Sequence, residues 1–313
     1  MIIVFNLIYR SLLVILLISS CSGGSSSTSS YIEPIIPNPV TPEFVQCDNY
    51  QGETENLIWI EDFNNDLNLL DDTTWTSIEG NGQEYGIPGW GNNELQYYTD
   101  SSLNASLNNG CLKITPLNQS SNGYSYTSAK LETKNKVDFS NSGKITVRFR
   151  SPSGVGMWPA IWMMPRDSIY GGWPASGEID LVEIRGNNMQ EILSTIHFGS
   201  DWTNHQYLGG SFYLPQDNNL NDYFHELSFI WEEDKMSFIL DNEHTVFEVL
   251  KSQIGFDENY PFNEIFYLII NVAVGGNFVG NYVDNNDLCS IDDYASCPDS
   301  KRFIIDWIVY ENL

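Results

Sequence analysis

Phe266-Tyr-Leu-Ile-Ile-Asn-Val-Ala-Val274 is apolar on both faces, rich in β-branched and aromatic side chains, and free of Gly and Pro. A run of that length and composition predicts a central strand covered on both sides. Its surroundings read the same way. Ile145-Thr-Val-Arg-Phe-Arg150 alternates apolar and polar, so one face is buried. Met236–Leu240 and His244–Val249 flank the polar turn Asp241-Asn242-Glu243, a hairpin pattern. Phe303–Tyr310 predicts a closing strand. There is no internal repeat and no convincing helix of ten or more residues. Many short strands between Gly/Asn/Pro-rich turns predict an all-β sandwich of two antiparallel sheets, one domain over residues 57–313.

The 313-residue chain has 14 Lys+Arg against 41 Asp+Glu, a formal charge of -27. Such a surface repels phosphate backbones and anionic lipid headgroups, which argues against a nucleic-acid binder or a polybasic membrane sensor. With 42% hydrophobic residues it is too apolar for a disordered acidic chain.

Residues 1–20 have one charge, Arg10, and an apolar core, Leu12–Ile18, too short to span a bilayer. This is the pattern of a secretory signal. Leu17-Ile18-Ser19-Ser20-Cys21 resembles a bacterial lipobox, in which Cys21 would become the acylated N-terminus; the plainer alternative is a signal peptide with a chance Cys. Residues 21–50 predict a tether, Ser/Gly-rich over Ser22–Ser30 and then Pro-rich through Pro34, Pro37, Pro39 and Pro42. The expected address is a lipid anchor on a bacterial outer membrane or cell surface, with secreted or periplasmic protein as the alternative. Four further cysteines suit two disulfides in an exported chain. Cys289 and Cys297 lie close in a loop-like segment, which leaves Cys47 for Cys111. No C-x-x-C or H-E-x-x-H spacing supports zinc.

Ser176-Gly-Glu178-Ile-Asp180-Leu-Val-Glu183 has the composition of a strand but carries three carboxylates. Glu178 and Asp180 share a face by parity, and Glu183 does not. One extra residue between Asp180 and Glu183, a β-bulge, would bring it to the same side. Three crowded carboxylates split their proton affinities, which glycoside hydrolysis requires: a carboxylate nucleophile and a protonated acid. An acidic solvated strand face is the simpler alternative. Trp158-Pro-Ala-Ile-Trp162 lies just upstream, both indoles at one parity, with Trp173 in the connecting loop. Flat aromatics with a polar N–H suit the C–H faces of sugars, although core tryptophans would look alike. Trp90, Asn93, Glu94 and their neighbours form another polar-aromatic patch, or a turn and strand edge.

With these residues in hand, the chain resembles glycoside hydrolase family 16, and within it the bacterial laminarinases (endo-β-1,3-glucanases), from Trp59 to Leu313. The matching motifs are Glu178-Ile-Asp180-Leu-Val-Glu183, Trp158-Pro-Ala-Ile-Trp162, Trp90-Gly-Asn-Asn-Glu94, Thr195-Ile-His197-Phe-Gly199, Asn271-Val-Ala-Val-Gly-Gly276 and Ile305-Asp306-Trp. The resemblance implies a β-jelly roll with an open cleft and a retaining mechanism: Glu178 the nucleophile, Asp180 its assistant, Glu183 the acid/base. It places Trp158, Trp162, His197 and Asn93 on substrate, with Trp90, Glu94 and Trp173 nearby. It implies no organic cofactor but a structural calcium at Asp306, with Gly110 and Glu61 beside it. The partner would be β-1,3-glucan, taken by a monomer. Agarases and related galactanases share the extra residue, so the alternatives are another β-glucan or galactan, such as mixed-linkage glucan or agarose, or a non-catalytic glycan-binding lipoprotein. Ile184-Arg185 departs from laminarinases, which often have an aromatic after the triad.

Overall fold

The nine residues Phe266–Val274 form a strand in which every position is buried, as the run predicts. In this computed structural model, which describes residues 44–48, 50–65, 69–215, 218–255 and 259–313, it lies inside a seven-stranded sheet. The strands of that sheet are β1 (Thr76–Ser77), β2 (Lys130–Glu132), β3 (Met157–Pro165), β4 (Glu178–Glu183), β5 (Glu191–Phe198), β6 (Gln206–Tyr213) and β7 (Phe266–Val274). Their spatial order is β6-β5-β4-β3-β7-β2-β1, antiparallel throughout.

An eight-stranded sheet packs against it. Its middle is Phe303–Asn312 paired with Gly143–Arg150, followed outward by His225–Trp231 and the predicted hairpin, Lys235–Leu240 with His244–Leu250. Asp241 (φ 53°) and Asn242 (φ 56°) make the tight turn in the left-handed region, which short polar residues tolerate. Phe149, Phe229 and Ile305 from this sheet meet Ile161, Ile179, Ile196 and Ile270 from the other in one continuous core. Two antiparallel sheets around one core are the expected sandwich. A small four-stranded sheet, which includes Gln96–Tyr98, stands beside them.

Within the stretch expected as tether, Val45 and Cys47 are bonded to residues of the domain. The Val45 N–H donates to Asp299 Oδ2 at 2.6 Å, and Cys47 is bonded to Cys111. Asp299 is fully buried between Lys113 and Arg302, so this N-terminal stretch is tied to a sealed ion-pair group. The second disulfide joins Cys289 to Cys297. The signal segment, Cys21 and the tether up to residue 43 lie outside the described residues.

Candidate active site

The carboxylates sit on β4, and its register explains how. On the β3 side Asp180 faces Trp162 while Val182 faces Ile161. On the β5 side Asp180 faces Thr195 and Glu183 faces Leu193. Both neighbours advance one residue fewer than β4 does, which is the predicted bulge. The consequence is visible in burial: Leu181 and Val182, consecutive in sequence, are both sealed in the core. Ile179 and Ile184 join them there, so Glu178, Asp180 and Glu183 all turn to the outer face of the seven-stranded sheet.

Two tryptophans hold the ends of this row. Trp173 Nε1–H donates to Glu178 Oε2 at 2.6 Å, and Trp158 Nε1–H donates to Glu183 Oε1 at 3.1 Å. Trp162 stands on the same face and donates to Asn271 Oδ1. His197, opposite Glu178 in the register, brings Nε2 to 3.1 Å from Asp180 Oδ2. Polar atoms of Glu178, Asp180 and His197 all lie within 4.8 Å of one another.

Three carboxylates so close cannot all be ionised near neutral pH. Burial, then the charge of Asp180, pushes Glu178 up to about 8 against the Trp173 hydrogen bond. Burial and Asp180 likewise push Glu183 up to about 8. Burial raises Asp180 to about 7, opposed by its hydrogen bond with Glu178. The row therefore keeps a proton for acid catalysis at neutral pH, and Glu178, with the shorter indole bond, has the better supported carboxylate. A hollow of about 350 Å³ beside Tyr50, Arg148 and Trp307 lies on the other sheet and holds none of these groups.

Residues 82–291 match the family described as glycosyl hydrolases family 16. The chain belongs to that family. A glucan endo-1,3-beta-glucosidase A1 of Niallia circulans is 39% identical over 244 residues, 74% of this chain and 35% of that protein. The chain thus spans about a third of that relative's length. A glucan endo-1,3-beta-glucosidase of Cryptopygus antarcticus is 39% identical over 235 residues, 72% of this chain and 82% of that protein. The laminarinase catalytic domain of Thermotoga maritima superposes with a TM-score of 0.70 at 34% identity, covering 82% of this chain and 98% of that one. The jelly roll is shared.

The other expected residues of this family 16 domain fall in different places. Trp90 packs at a tilt against Tyr85 and Tyr98 and lies beneath Lys130 Nζ at 4.1 Å. Asn93 is exposed and donates to Asn277 Oδ1. Glu94 is buried and accepts from Gln96 Nε2 and Tyr98 Oη, so it braces the patch from beneath. Lys130 was not legible in the sequence: its ammonium also lies 4.7 Å from the Trp162 ring. Its only signal was the parity of a three-residue strand. Exposed Trp202 and Tyr207, packed around Trp173 and His197, were missed: Trp202 lies in a connection without period, and Tyr207 sits at the start of β6. Arg185, the noted departure, spans Glu191 Oε2 and the ring of Phe278, which in turn packs on Trp158.

Calcium was expected at Asp306, with Gly110 and Glu61 beside it. Cys111–Ile114 and Leu57–Glu61 share one edge of the last strand, opposite residues 303–305 and 308–311. Asp306 lies between those two pairings. Its Oδ2 pairs with Arg148, but its Oδ1 is buried without a partner. An orphan carboxylate oxygen beside free strand ends fits a hard cation. The Glu61 carboxylate is already taken by the Phe63 N–H and Trp75 Nε1–H, which leaves its backbone carbonyl as the donor.

Proposed function

We propose that this chain is a retaining endo-hydrolase of β-1,3-glucan. The observation that carries it is the β4 bulge, which turns Glu178 and Glu183 onto one face, each tied to its own tryptophan. The names of the Niallia, Cryptopygus and Thermotoga relatives support the substrate. Glu178 attacks the anomeric carbon while Glu183 gives its proton to the departing glycosidic oxygen, leaving a glycosyl ester on Glu178. Glu183, now a carboxylate, takes a proton from water as that water opens the ester. Asp180 stands beside Glu178 on the same face, and its charge raises the proton affinity of Glu178. Trp158, Trp162 and Trp173 offer ring faces to sugars along the row.

A calcium ion would be held by Asp306 with the carbonyls of Gly110 and Glu61, and it would join three strand ends far from the chemistry. Cys21 would carry a lipid that anchors the domain to the cell surface. The deciding experiment is product analysis on laminarin, lichenan and agarose side by side. Laminari-oligosaccharides with retained anomeric configuration, lost in Glu178→Gln, are expected. Binding of laminarin without products, or cleavage of agarose alone, would overturn this function.

A further inference from the structure

His197 has two ring nitrogens, and both are engaged. Nε2 lies 3.1 Å from Asp180 Oδ2, and Nδ1 lies 2.8 Å from His205 Nε2. Between two imidazole nitrogens at that distance, one carries the proton and the other accepts. A bare Nε2 lone pair so near an ionised Asp180 would be repelled, so His197 carries its hydrogen on Nε2. The approach is off-line, and Oδ2 has no aligned donor among the described residues, so the contact acts through the positive edge of the ring. With its hydrogen on Nε2, His197 accepts at Nδ1, and the Nε2–H of His205 donates.

The fold holds His205 for this role. The loop after β5 turns back at Gly199 (φ +141°), where a Cβ would meet Asn204 O at 2.4 Å. Asp201 pins the loop by accepting from the Thr203 and Asn204 N–H groups and from both their side chains. His205 stacks on His197 at 5.0 Å and on Trp173 at 4.7 Å, the indole that holds Glu178. The groups facing the pair are Asp180, Glu178, Tyr207 and, across the row, Glu183.

We propose that His205 is a positioning residue: it donates Nε2–H to His197 Nδ1, fixes His197 as the Nε2–H tautomer, and so keeps Asp180 ionised between the two glutamates. This rests on the catalytic reading of those glutamates and deepens it. The charge of Asp180 helps Glu183 retain its proton. Without the donor, His197 can turn its bare Nε2 to Asp180, which then takes up a proton. Glu183 loses that support and deprotonates at lower pH.

The test uses His205→Gln, whose side-chain amide keeps a donor that cannot titrate, and His205→Phe, which keeps a ring without one. Imidazole ¹⁵N NMR on the whole protein reads the tautomer, and kcat is followed against pH on laminarin. In wild type and His205→Gln, Nδ1 of His197 is expected bare and the basic limb unmoved. In His205→Phe the tautomer mixes, the basic limb moves to lower pH, and kcat falls about tenfold with KM little changed, the rate equivalent of one net hydrogen bond. A protonated His197 Nδ1 in the wild type overturns the proposal without any variant. So does an unmoved tautomer and limb in His205→Phe. An active Glu178→Gln would instead sink the catalytic reading, while the NMR result would stand by itself.

Discussion

Glu183→Gln should stabilise the protein as it disables it, and only above acidic pH. Glu183 is pushed from its usual 4.5 to about 8 in the fold, first by burial. Between those values the folded protein holds a proton that the unfolded chain has released, so stability falls as pH rises through that window. Below about pH 4 both states are protonated and the penalty vanishes. At pH 7 the unfolded group lies about 2.5 units above its own midpoint, and at about 1.36 kcal/mol per unit the penalty reaches about 3 kcal/mol. Water reaches the open face and the three carboxylates share the repulsion, so about 1–2 kcal/mol is the expected gain for the neutral amide. For a domain of this size that is a rise in Tm of about 3–6 °C. Gln can still accept the Trp158 N–H, so packing is preserved. Turnover should fall by about 10²–10⁴-fold, the worth of acid–base help. Thermal melts of both proteins at pH 4 and pH 7.5 decide it. An equal Tm difference at both values, or a loss at pH 7.5, would refute burial as the cause of the raised proton affinity.

In wild type the basic limb of kcat should fall near pH 8, as Glu183 gives up its proton; a limb persisting well above that value would contradict the site's electrostatics. Trp158→Phe removes a bond that favours the ionised Glu183, so this limb should move to higher pH; a downward move would show that the indole acts otherwise. The Cys47–Cys111 bridge closes 64 residues of chain, so replacing both by Ala should lower stability by about 4 kcal/mol in denaturant titration; a loss below about 1 kcal/mol would rule out chain entropy as its main effect. Calcium at about 100 times its Kd should add about 2.7 kcal/mol of stability, and Asp306→Asn should erase the difference between calcium and chelator; identical melts with and without calcium in wild type would remove the site.

Much of this was readable beforehand because it depends on local pattern. Phe266–Val274 is buried on both faces because, Asn271 apart, its side chains are aliphatic or aromatic. The hairpin at Asp241-Asn242 follows from residues that accept a left-handed backbone. Even the β4 bulge could be foreseen, since Leu181 and Val182 are adjacent apolar residues that interrupt an alternating row. What shifted depends on how side chains close on one another in space. Glu94 reads as a polar surface residue until Gln96 and Tyr98 close over it. Residues 44–48 read as tether because Asp299, which receives the Val45 N–H, lies at the far end of the chain.

By itself the sequence determined the strands, the all-β class and the row Glu178, Asp180, Glu183, because side-chain parity and polarity are properties of neighbours in the chain. Only the tertiary structure decided which groups meet that row. Lys130 between two indoles, His205 behind His197 and Arg185 against Phe278 come from other strands and loops. The proton affinity of each carboxylate depends on those contacts and on lost water, and both exist only once the two sheets have closed on their core.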